Sequence, residues 1–118
     1  MDPQLLELAL VFERECHYVS SSERLPTKVR FHLKGEYICD LFYRSSTGSY
    51  SYTLLRGEQR VLGWDNAPHH KKLDNFLHHF HPEGGGEAIA STLTNHPMED
   101  VVIVVHTINA FLVERLGK

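Results

Sequence analysis

Apolar and polar positions alternate along this chain in two different rhythms, and the change of rhythm divides it. Near the N-terminus, Leu5, Leu8, Ala9, Phe12 and Cys16 recur at helical spacing behind an Asp2 that can cap and a Pro3 suited to the first turn. This predicts a helix from Pro3 to Cys16. The stretch Tyr18–Pro26, with three consecutive serines, has neither rhythm and reads as a loop or short turn. From Thr27 the period becomes two. Val29, Phe31 and Leu33 alternate with Arg30, His32 and Lys34, and Gly35 marks a reversal. Runs over Glu36–Ser45, Ser49–Arg56 and Gln59–Trp64 follow, joined by connections too short for parallel crossovers. Asp65–Gly86 carries two prolines and three glycines without regular pattern and reads as a long functional loop with room for a short strand. Pro97, with Glu99 and Asp100 behind it, opens a segment whose Val101, Val105, Ile108 and Leu112 are spaced as a helix ending at Gly117, against the strand preference of the β-branched run Val101–Val105. The expected architecture is α+β: an N-terminal helix, a four-stranded antiparallel β-meander, a His-rich loop and a C-terminal helix.

At 118 residues the chain suits one domain, residues 1–118, and at 42% hydrophobic it can bury a core. The net charge of -3 argues neither for nor against a nucleic-acid partner. No apolar run approaches the roughly 20 residues that span a bilayer, and the start carries acids where a signal peptide needs Lys or Arg, so a cytoplasmic protein without a membrane partner is expected. Cys16 and Cys39 have no ligand or disulfide spacing and read as small buried hydrophobes.

Histidine is the abnormal count: nine in all, of which His69, His70, His78, His79 and His81 fall in one short window. Three chemistries fit. Paired imidazoles, with ordinary pKa values of about 6.5, suit acid–base transesterification of RNA without a metal, with Arg60, Lys71 or Lys72 neutralising the phosphate. Alternatively, His79 and His81, on one face if extended, hold a divalent transition metal with Asp65 or Glu83, although no strong ligand signature is present. In the third reading the histidines are polar anchors that do no chemistry. Trp64, Phe76 and Phe80 read as packing residues, and Asp65 with Asn66 as a local side-chain-to-backbone turn ahead of Ala67 and Pro68. Tyr43, Tyr50 and Tyr52, with Arg44 and Arg56, are a weak candidate RNA platform, because Tyr50 and Tyr52 share a face with Leu54.

The stretch RVLGWDNAPHHKKLDNFLHHFH, with SYSYTLL before it and LTNHPMEDVVIVVHTINAFLVERL after it, resembles the TumE-type toxin family of toxin–antitoxin modules. The resemblance implies a toxin neutralised by a helix-turn-helix antitoxin encoded beside it. Its motif falls on Arg60, Trp64, Asp65, Asn66, Pro68, His69, His70, His78, His79 and His81, with Leu77 where a proline is expected. The resulting expectation is a metal-independent endoribonuclease with His79 and His70 as the leading acid–base pair. The rivals are a metal-dependent nuclease and a non-catalytic binding or regulatory protein. A homodimer is compatible with each.

Overall fold

The computed structural model describes residues 1–66 and 78–117. Helix α1 spans Pro3–Glu15, and Asp2 caps it by accepting from the backbone N–H groups of Gln4 and Leu5. The same carboxylate accepts from Ser45 N–H at 2.8 Å and Ser45 Oγ–H at 2.7 Å, which ties the helix start to the end of a strand. Among the described residues seven strands follow: β1 (Val19–Arg24), β2 (Lys28–Leu33), β3 (Tyr37–Arg44), β4 (Ser49–Arg56), β5 (Gln59–Asp65), β6 (His79–His81) and β7 (Ile89–Ala90). They pair in chain order, each antiparallel to the next, as one continuous meander. Helix α2, Pro97–Leu116, closes the chain with Pro97 in its first turn and Gly117 in the left-handed conformation behind it.

The predicted meander is therefore correct in direction but too small, with seven strands in place of four. Its outer members escaped the sequence pattern for different reasons. Tyr18–Pro26 is not a loop, since Val19–Arg24 forms β1 at the sheet edge, where nearly every residue is exposed. A strand with no core on either face needs no alternation, and its polar side chains discourage further edge pairing. The segment read as a His-rich loop contains β6, so His79 and His81 lie on a strand. Strand β7 has only two residues.

One face of the sheet is apolar. Phe31, Cys39, Leu41, Tyr52, Leu54 and Trp64 lie on it and share a single buried cluster with Leu8 and Phe12 of α1 and Val101, Val105, Ile108 and Leu112 of α2. The cluster explains why a β-branched run is helical: burial of one face of α2 outweighs the local strand preference. Asn109 clamps the two helices, donating to Glu15 O and accepting from His17 N–H, both at 3.0 Å. Both cysteines are buried and free, as expected.

The opposite face is polar. Arg30 stands directly across from Asp40, and its guanidinium makes two bonds to that carboxylate at 2.8 and 3.0 Å, with Lys28 adding a third at 3.0 Å. Further along this face, the facing pairs Asp65/His79 and Gly63/His81 bring the strongest part of the sequence motif together.

Candidate functional site

The site is built on two neighbouring strands. Because β6 is extended, His79 and His81 project to one side and Phe80 to the other, where it packs on Trp64 at 5.2 Å between ring centroids. Asp65 faces the two histidines from β5. Its Oδ1 lies 3.1 Å from His79 Nδ1 and its Oδ2 lies 2.8 Å from His81 Nε2, so one carboxylate holds two imidazoles through opposite ring nitrogens. With Asp65 ionised, this assigns the Nδ1–H form to His79 and makes Nε2 the donor on His81. His79 is completely buried, whereas His81 retains about a tenth of its side-chain exposure.

Arg60 joins the same polar face through a bulge, where β5 slips one residue between Leu62 and Arg60 opposite Leu54 and Leu55. The missing side chain at Gly63 makes room for it. A Cβ built there would lie 3.1 Å from Arg60 Cδ and 3.7 Å from both Cβ and Cδ2 of His81. The arginine stem and the imidazole thus flank one small hollow.

His78 faces the core side and does not join His79 and His81. Its Nδ1 is 2.7 Å from Tyr50 Oη, and its ring stacks on Tyr50, which stacks in turn on Tyr52. Burial pushes the His78 pKa below its ordinary value, assisted by nearby His79 and opposed by Asp100. Burial raises both tyrosine hydroxyls, and the negative charge of Asp100 adds to it. Asp100 is itself buried and accepts from the N–H groups of Thr94 and Asn95, with a further bond from Thr94 Oγ. Local spacing marks Asp100 only as a helix-start signal; the influence of its charge on Tyr50 and His78 is a tertiary fact that spacing does not carry.

Several expectations change. Asp65 and Asn66 both bond across strands, and a turn made with residues 67 and 68 lies outside the described residues. Asp65 orients the histidines, while Asn66 reaches across to β4, accepting from Tyr50 N–H at 3.0 Å and donating to Gly48 O at 2.9 Å. Glu83, the alternative metal ligand, is ion-paired with Arg115 of α2. Among the described residues no group of three or more His, Cys, Asp or Glu side chains is arranged to hold a metal ion. Tyr50 and Tyr52 are buried core residues, so the tyrosine face is not an RNA platform. Pro68, His69, His70, Lys71, Lys72, Phe76 and Leu77 lie outside the described residues.

No helix among the described residues is long and apolar enough to cross a membrane. No curated protein and no solved structure matches the chain. The model of the family described as Toxin TumE matches residues 4–116, from the first turn of α1 to the last residue of α2. The match takes in the whole meander and the Asp65, His79 and His81 cluster with it, so the chain belongs to the TumE toxin family and has an antitoxin as its implied partner.

Proposed function

We propose that this toxin is a histidine-dependent endoribonuclease that cuts RNA by metal-independent transesterification in the cytoplasm. The observation that carries the reading is the single carboxylate of Asp65 shared by His79 and His81. A carboxylate behind an imidazole fixes its orientation and stabilises its protonated form, which general acid–base catalysis requires. His81, the more exposed of the two and the neighbour of Arg60, is assigned to the substrate. His79, wholly buried, is a positioning residue that holds Asp65 in place.

In the proposed reaction His81 takes the proton of a ribose 2′-hydroxyl as its oxygen bonds to the adjacent phosphorus. The bond from phosphorus to the 5′-oxygen breaks, and that oxygen receives a proton from a second imidazole, a role assigned to His70 of the sequence motif. The products are a 2′,3′-cyclic phosphate and a 5′-hydroxyl end, with no net change in protons. Arg60 compensates the charge that gathers on the phosphate oxygens. The antitoxin is read as the helix-turn-helix type.

The test is incubation of purified protein, freed of antitoxin, with total RNA with and without chelator. Cyclic phosphate ends in both samples support the reading; cleavage lost with chelator transfers it to a metal-dependent nuclease. His81→Ala should lower the rate by about 100-fold or more. Asp65→Asn should lower it too, because both imidazoles lose the carboxylate that orients them. A second reading, a non-catalytic toxin whose histidines are anchors, is favoured by the burial of His78 and His79. It predicts no RNA cleavage by folded protein, and His81→Ala that lowers the melting temperature without altering toxicity in cells where it still accumulates.

A further inference from the structure

Three of the seven arginines of this net acidic chain converge on one groove. It has a volume of about 680 Å³ and lies between the start of β3, the β4–β5 turn, the Glu83–Gly84 segment and the end of α2. Arg56, Arg60 and Arg115 line it together with Tyr37, Gln59 and Glu83. Two of the guanidiniums are placed by aromatic rings. Arg56 lies 5.6 Å from the centre of the Tyr37 ring, Tyr37 meets Phe111 edge-on at 6.2 Å, and Arg115 sits 4.1 Å above Phe111. An arginine placed by an aromatic ring needs no carboxylate to hold it, so its N–H donors stay available to an anion. Among the described residues neither Arg56 nor Arg60 has an acidic partner. Arg115 is different: it pairs with Glu83 and lies 3.6 Å from Glu114. Glu36, on the groove wall, contributes a second carboxylate.

The groove shares Arg60 with the candidate site. Arg60 lines it and, through the hollow at Gly63, its stem lies beside His81. A strand of nucleic acid with its scissile phosphate at His81 and Arg60 would carry its next phosphates along this wall. We propose that the groove binds the backbone of single-stranded RNA flanking the cleavage point, with Arg56 as a phosphate contact and Glu83 as a built-in competitor that withholds Arg115. This deepens the ribonuclease reading and rests on it. RNA is favoured over an acidic peptide because one of the groove's cations, Arg60, also stands beside His81 of the acid–base cluster.

The test uses the full chain, freed of antitoxin, and a 2′-O-methyl RNA of about 12 nucleotides, within the span typical of single-strand sites. This probe lacks the attacking hydroxyl, so binding is read without cleavage. Affinity is measured by fluorescence anisotropy over a salt series. Arg56→Gln should weaken binding several-fold and reduce the slope of log affinity against log salt by about 0.7, the value of one phosphate contact. Glu83→Gln should tighten binding several-fold and steepen the slope by a similar amount, a gain that misfolding cannot imitate. Unchanged affinity in both variants overturns the proposal, as does a change in affinity without a change in slope. So does failure of wild-type protein to bind the probe, or a loss seen only for purified antitoxin, which would make the groove the antitoxin's surface. If the probe binds as expected while unmodified RNA stays intact, the groove stands and the cleavage reading falls.

Discussion

Tyr50 Oη and His78 Nδ1 meet at 2.7 Å in a buried setting, and removing either partner leaves the other without its bond. Tyr50→Phe should therefore cost about 1 to 3 kcal/mol of stability, measured by urea unfolding near pH 8, where the imidazole is neutral. The depressed pKa of His78 also makes stability pH-dependent in a definite sense. The folded chain binds this proton less readily than the unfolded chain, so the contribution is fully present above the ordinary histidine pKa of about 6.5 and is lost as the pH falls through and below it. His78→Asn, which retains a polar atom near the Nδ1 position, should flatten that part of the profile of melting temperature against pH. An unchanged slope would assign the acid sensitivity to another group.

At the scale of elements, the WDN portion of the motif is a strand-pairing device. Trp64 packs on the core side, Asp65 holds β6, and Asn66 satisfies a donor of β4 and the carbonyl of Gly48 just before it, where the β5 ladder ends. Asn66→Ala should cost about 1 to 3 kcal/mol because Tyr50 N–H and Gly48 O lose their partner. Asn66→Asp keeps the acceptor for Tyr50 N–H and should cost less, by the same unfolding measurement. Both changes act on the strands that carry Asp65 and thus test whether the site depends on ladder order. Strand β1 illustrates the reverse situation. Its polar side chains are exposed and add only a Glu23–His32 pair to the backbone ladder with β2, so it buries no apolar stripe and periodicity has no signal to report.

Across the whole molecule, the β2–β3 reversal meets the last turn of α2. Gly35 has φ of 76°, and a Cβ there would come within 2.7 Å of Leu116 Cδ2. Gly35→Ala should cost about 1 to 2 kcal/mol from the left-handed backbone alone. Adding Leu116→Ala should recover only the steric part, as judged by the melting temperatures of the single and double variants. The same corner carries Tyr37 and Arg115, which line the arginine groove.

The amino-acid sequence by itself determined both helices, the central strands β2 to β5, the burial of Cys16, Cys39, Tyr50 and Tyr52, and the concentration of histidines behind the WDN motif. Each follows from local periodicity, capping or composition, which a chain displays before it folds. The tertiary structure decided the rest. Only strand pairing set β6 against β5 and gave His79 and His81 a common carboxylate while turning His78 toward Tyr50. Only the docking of α2 on the sheet brought Arg115, Arg56 and Glu83 to one groove. Those arrangements join residues far apart in sequence, and no local pattern records which side chains a closed meander will make neighbours.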